Sequence, residues 1–254
     1  MLWGRYASRG SEARYPQLWQ GRVFGVCPSV QGPAGVNLYD TTGRGRHGVA
    51  ANVTTSTFWT RSQGWYALDF DGTDDTVSHS NVSMTGACSV SLWFYKRSNG
   101  LYNGRILWGN VADNDTYVGN VTTTTINTQS DSVGTQKNYT FSISNNQWYH
   151  FAMIRDANNS VRLFVNGIES TSGAQTVTGT YTLNRIGQYS NNAGGNTGFM
   201  WDGLLDDIAV YERALTIGAV RLLATRRGIA YEARRDIVFG TSGNRRRRIL
   251  TGMV

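Results

Sequence analysis

Carboxylates pose the first chemical question. A retaining glycosidase needs two of them about 5 Å apart. The 254-residue chain has four Glu, at 12, 169, 212 and 232, and no two form a closely spaced array. The Asp pairs Asp74–Asp75 and Asp206–Asp207 are adjacent. On a strand their side chains point to opposite faces, so both could flank one bond only at a bulge. Nucleophilic catalysis finds no triad. His47 lies in a glycine-rich loop, His79 in a Ser/Asn turn, and His150 within a strand on the side of Trp148 and Ala152, and each reads as a structural imidazole. Cys27 and Cys88 have no second Cys or His near in sequence, so no zinc spacing appears and the two read as buried free thiols. These residues describe a chain without enzymatic machinery.

The elements that would position any site are strands. Residues 145–169, NNQWYHFAMIRDANNSVRLFVNGIE, read as a hairpin: 148–154 and 161–165 extended, 156–160 turn-forming, and Asn166–Gly167 reversing the chain again. Trp148 and Phe164 are expected in or against the core. In 89–95, Val90, Leu92 and Phe94 share one face while Ser91, Trp93 and Tyr95 share the other, an aromatic side broad enough for stacking or sheet packing. In 65–70, Tyr66, Leu68 and Phe70 alternate with Trp65, Ala67 and Asp69. Alternation across 203–211 sets Leu204, Asp206, Ile208 and Val210 on one face, placing a carboxylate among apolar neighbours where it needs a donor or a cation. The Thr-rich run 122–125 reads as strand or edge. Thr216 can cap one short helix over 217–224, with Ile217, Val220, Leu223 and Ala224 inward.

Composition permits a large core, with 40% hydrophobic residues including eight Trp, thirteen Tyr and nine Phe, while 16% charged residues leave a surface of Asn, Ser, Thr and Gly. No apolar run approaches the roughly 18 residues of a membrane span, and the first residues lack an apolar signal core. The chain is therefore expected to fold where it is made. Residues 221–254 hold nine Arg against Glu232 and Asp236, which equals the whole net charge of +7. The basic character belongs to the tail.

Four separated pieces carry a resemblance: DTTGRGRHG at 40–48, LDFDGTDD at 68–75, the hairpin with its closing VNG, and GLLDDIAVYERALT at 203–216. In order and spacing they resemble the laminin-G-like, concanavalin-A-like jelly rolls, over about residues 18–224. The resemblance implies an all-β fold of two antiparallel sheets stacked as a jelly-roll sandwich; the residues add one short helix near the C-terminal end and extended terminal arms, which depart from the family's pattern. The chain then divides into an arm at 1–17, a jelly roll at 18–224 that should fold alone, and an Arg-rich tail at 225–254. Hydrolases of this fold carry Glu-x-Asp-x-x-Glu on one strand, which is absent here. By similarity to relatives, Asp71 and Asp206 would join backbone carbonyls in a structural Ca2+ site; the other reading has both accepting backbone N–H bonds at turns. Trp59, Trp65, Trp108, Tyr189 and Trp201 would be the glycan-stacking aromatics, or else core packing.

Two functions follow as expectations. The first is a structural subunit of a viral or phage particle, a capsid decoration or tail-associated protein of the virion assembled in the host cytoplasm. Its termini would tie it to neighbouring subunits or to copies of itself. Arg226, Arg227, Arg234, Arg235, Arg245, Arg246, Arg247 and Arg248 would meet carboxylates at the contact. Nucleic acid is the alternative partner for Arg245 to Arg248, and a merely solvated tail is the other. The second function is a carbohydrate-binding, lectin-like module for cell-surface attachment.

Overall fold

The computed structural model describes residues 13–99, 105–110, 116–131, 136–188 and 199–234. The hairpin forms as its residues dictate. Trp148–Arg155 pairs with Ser160–Val165 in a register running from Phe151 opposite Val165 to Arg155 opposite Val161. Asn159 closes the first turn at φ 61°, and Asn166 (φ 50°) with Gly167 (φ 76°) closes the next, returning the chain as Ile168–Glu169.

Among the described residues the strands build two antiparallel sheets. In the nine-stranded sheet the order is Ile168–Glu169, Ser160–Val165, Trp148–Arg155, Cys88–Lys96, Asp202–Tyr211, Trp65–Asp71, Trp59–Ser62. Arg22–Val26 also pairs with Asp202–Tyr211, and Gln175–Thr176 with Ser160–Val165. The eight-stranded sheet runs Lys137–Thr140, Thr125–Gln129, Tyr117–Val121, Arg105–Gly109, Tyr181–Ile186, Thr76–Met84, Gly48–Ala51, Asn37–Leu38. Alternation then builds the core between the sheets. Val90, Leu92, Phe94, Phe151, Met153 and Leu163 face Leu107, Trp108, Val118, Ile126 and Tyr181, all sealed from solvent. Each such large side chain contributes about 1.5–3 kcal/mol by burial. Three of the four threonines in 122–125 make a turn, closed by the Thr122 hydroxyl on the Thr125 amide at 2.8 Å. Side chain-to-backbone bonding there competes with the ladder the run was expected to join.

A second apolar layer covers part of the nine-stranded sheet's outer face. Ala152, Ile154, Phe164, Ala209 and Tyr211 pack beneath the helix Ile217–Leu223 and the 3-10 turn Ile229–Tyr231. The Thr216 hydroxyl caps that helix by accepting from Ala219 N at 3.2 Å, and its buried side is Ala219, Val220 and Leu223. Ile217, expected inward, is instead at the surface, because the helix turns Ala219 rather than Ile217 toward the sheet alongside Val220 and Leu223. Two single-turn helices, Pro28–Gln31 and Thr55–Phe58, join it among the described residues. The packed body also exceeds the expected limits of 18 and 224. Ile229, Ala230 and Tyr231 are buried, Ala13 bridges to Ala233, and Leu18 and Tyr15 pack on the same cluster.

One irregularity re-aims a strand. The register of Asp202–Tyr211 on Cys88–Lys96 shifts between Asp206 and Ala209, and Asp207 takes φ 47°. This is a β-bulge. It corrects the expected alternation: Leu205, Ile208 and Val210 enter the inter-sheet core, while Asp206, Ala209 and Tyr211 face the outer layer.

Candidate functional site

The outer face of the nine-stranded sheet carries every second residue of its strands, among them Trp65, Trp93 and Trp148. Beyond the edge of the second apolar layer these three indoles line an open cleft of ≈ 200 Å³ with Gln63, Thr225, Arg226 and Arg227. Local sequence explains the placement. Trp148 stands opposite Tyr95, and His150 opposite Trp93, across adjacent strands. Gln63 (φ 54°) and Gly64 (φ 81°) form the two-residue turn between Trp59–Ser62 and Trp65–Asp71, with both central residues left-handed. Positive φ suits Gly64 and costs Gln63 about 1 kcal/mol or more, a strain of the kind found at ligand sites.

Each indole is fixed differently. Trp148 donates from Nε1 to Ser62 Oγ at 3.0 Å, and the Arg227 guanidinium lies 4.2 Å above its ring. Trp93 meets His150 edge-on at 5.4 Å, while its buried Nε1–H finds no acceptor among the described residues. His150 bonds Ser91 Oγ through Nε2 at 2.9 Å, and burial pulls its pKa down to about 3, so it stays neutral. At the rim one carboxylate serves two cations: Glu232 Oε1 accepts from Arg14 at 2.9 Å and Oε2 from Arg226 at 2.7 Å.

The cleft's far wall is held by the bulge. Both Asp206 and Asp207 are buried, Asp206 paired with Arg227 at 3.5 Å and Asp207 with Arg22 at 3.8 Å. Asp207 Oδ2 also accepts from Gly228 N at 3.0 Å, and Asp206 Oδ1 from Ser29 N at 3.1 Å. Burial raises the Asp206 pKa to about 7 against the opposing pull of Arg227, and the same burial lowers that of Arg227. Arg227 is thus an internal residue, which corrects its assignment as an outward assembly contact. Its guanidinium also donates to Ser62 O. Arg226 and Arg234 lie at the surface, while Arg235 and Arg245 to Arg248 fall outside the described residues.

The expected calcium pair does not assemble. Asp71 sits at the exposed end of its strand opposite Asp202, whereas Asp206 lies four residues further along, about 13 Å away. Asp71 accepts from Thr73 N at 2.7 Å, and Asp206 already has its backbone donors and Arg227. The carboxylates that do gather are Asp71, Asp74 and Asp75, with one oxygen from each within 4.8 Å of the others. Burial and the neighbouring negative charges raise Asp75 to about 6.

Of the expected stacking aromatics, Trp59, Trp108 and Trp201 are core residues. Trp59 donates to Gly35 O at 2.5 Å, Trp108 to His79 Nε2 at 2.8 Å, and Trp201 packs on Phe94 at 5.7 Å. Two sheets need wide rings to fill the gap between them, and that demand claimed these three. Tyr189 lies outside the described residues. Trp65 alone among the described members of the set reaches the cleft. Trp93 and Trp148 were missed as site residues, although their alternation opposite core positions was the signal. Trp148 accordingly stands half-buried on the outer face, the face on which Phe164 is sealed within the second apolar layer.

Comparisons with known proteins agree with this architecture. A family profile described as the concanavalin A-like lectin/glucanases superfamily matches residues 71–221. No curated protein matches the chain in sequence. Among solved structures, the binding domain of Paraclostridial mosquitocidal protein 1 is similar with a TM-score of 0.61 and 16% identity, over 82% of this chain and 52% of that one. Domain 4 of AbnA, a GH43 extracellular arabinanase from Geobacillus stearothermophilus, in complex with arabinotriose, gives 0.57 and 20%, over 80% and 98%. A botulinum neurotoxin type C structure, whose cell entry depends on interaction with two ganglioside molecules, gives 0.56 and 14%, over 82% and 51%. The chain spans about half the length of the two toxin structures it matches. At these identities the likeness establishes the fold. With the profile matched over more than half its residues and two stacked antiparallel sheets behind the match, this chain belongs to the concanavalin A-like lectin/glucanases superfamily.

Proposed function

We propose that the domain is a non-catalytic glycan-recognition module and that the Trp65–Trp93–Trp148 cleft is its sugar site. The observation that carries this reading is the convergence of three indoles from three strands on one open cleft, beside a strained Gln. Aromatic faces stack on the apolar faces of sugar rings, and polar groups at the edge fix orientation. The arabinotriose held by the arabinanase domain and the gangliosides used by the neurotoxin support the reading as company for this fold. Chemistry on the sugar would need carboxylates presented to it, and none lines this cleft among the described residues. Tryptophan fluorescence of the full chain, titrated against a glycan library, tests the proposal. Binding that Trp93→Ala or Trp65→Ala reduces at least about tenfold is expected. Silence across the library, or binding indifferent to both substitutions, overturns it.

One observation favours a second reading, attachment to a particle. Arg14 N donates to Glu232 O at 2.7 Å beside the Ala13–Ala233 bridge, so the first and the last few described residues lie side by side. Two chain ends joined to the body at one place would serve as a single tether to a neighbouring subunit, the arrangement a virion component needs. Native mass measurement decides it: a lone 28.0 kDa species in lysate argues against assembly.

A further inference from the structure

We propose that the cleft selects a sugar carrying an anionic group, a carboxylate or a sulfate ester, over a neutral one. This rests on the glycan reading above and adds the ligand's charge to it.

Neutral sugar hydroxyls both donate and accept, so a site that grips them supplies acceptors, chiefly carboxylates and carbonyls. No Asp or Glu lines this cleft among the described residues. Thr225 Oγ1 donates its proton to Leu222 O at 2.7 Å, so toward the ligand it offers an acceptor only, beside the Gln63 amide oxygen, and neither carries charge. Donors are in surplus. Gln63 brings an amide, and Arg226 commits one terminal nitrogen to Glu232 and keeps its other N–H groups for the cleft. An acceptor-only group is the complement of such a set.

Charge points the same way. Glu232 is shared between Arg14 and Arg226, so the rim keeps one positive charge beyond its own carboxylate. Arg227 is buried 3.5 Å from Asp206, donates to Ser62 O and spends its face on Trp148. Arg226 is therefore the group that meets the ligand's anion, with a planar fork matched to carboxylate or sulfate oxygens. The three indoles would take the uncharged ring faces, so charge and stacking act on different parts of one ligand.

The test uses the full chain and three matched probes, lactose, 3′-sialyllactose and 3′-sulfolactose, beside an array of neutral and acidic glycans. Acidic glycans should bind at least about tenfold more tightly than their neutral counterparts. The advantage should shrink as NaCl rises from about 50 to 300 mM, because added salt screens exposed charges. Arg226→Gln should erase the advantage with little change in melting temperature, since an exposed ion pair contributes little stability. The sialylated and sulfated arms show which anion is preferred. Equal binding of neutral and acidic glycans, or an Arg226→Gln protein that discriminates as before, overturns the proposal while leaving glycan recognition standing. If no glycan of either kind binds, glycan recognition itself falls and takes this inference with it.

Discussion

Asp206 and Asp207 reach the same side of their strand because Asp207 adopts φ 47°, and that one dihedral turns two adjacent carboxylates into a clasp. Their pKa values set a pH dependence. Asp206 titrates near 7 when folded and near 4 when unfolded, so between those values the native state holds the extra proton. Stability contributed by this group is therefore greatest at the acid end of the window and declines as pH rises through about 7. Asp75, raised to about 6, acts in the same direction from a more solvated position. His79 and His150, pulled down by burial to about 4 and about 3, act the other way below about pH 6.5, so the Asp206 contribution is read against Asp206→Asn. Between pH 5 and pH 8 the melting temperature of the wild type relative to that variant should fall as pH rises, and a difference that grows with pH would show that Arg227 outweighs burial. The need of Asp206 for a cation was legible in the sequence, since alternation already set it among apolar residues. Its partner was not, because Arg227 sits in a stretch whose charge pattern suggested an outward tail.

At the level of elements, alternation carried most of the information. It put Val90, Leu92 and Phe94 inside and left Trp93 and Tyr95 outside, as the structure has them. It failed where the period was broken, at the bulge, and where identical ring chemistry serves core and surface alike, as with Trp108 and Trp93. Strand packing also constrains Gly203. This residue has φ 144°, and a Cβ there would stand 1.9 Å from Tyr95 O in the neighbouring strand. Gly203→Ala should cost about 3 kcal/mol or more, read from chemical denaturation, since backbone must move to admit it. A cost below about 1 kcal/mol would mean the two central strands can part without penalty. Trp148→Ala belongs to a milder class. The side chain is half-buried on the outer face, so the loss should fall below the roughly 3–5 kcal/mol of a sealed aromatic. The larger effect should be on ligand binding, through the released Arg227.

For the whole molecule, the place where the fold stops decides what a truncation does. A jelly roll ending at 224 was the natural reading of a sequence whose family-like motifs end at Thr216 and whose next 30 residues are crowded with Arg. The structure continues the packing through Ala233. Removing residues 225–254 would expose the site of Tyr231, whose hydroxyl bonds Thr41 Oγ1 at 2.9 Å and whose ring meets Trp19 at 5.1 Å. It would also strip Asp206 of Arg227 and Asp207 of the Gly228 amide, leaving two buried carboxylates poorly compensated. Losing one partner of a buried pair costs about 3–5 kcal/mol, and losing the burial of Ile229 and Tyr231 adds about 1.5–3 kcal/mol each. That total is comparable to the whole stability of an ordinary domain. A chain ending at 224 should therefore be largely unfolded or aggregate, whereas one ending at 234 should melt cooperatively within a few degrees of the full chain. Circular dichroism of the two truncations distinguishes the outcomes. A fully folded 1–224 chain would show that the terminal segment is an accessory on a self-sufficient sandwich, and that the cleft it walls can open without cost to the fold.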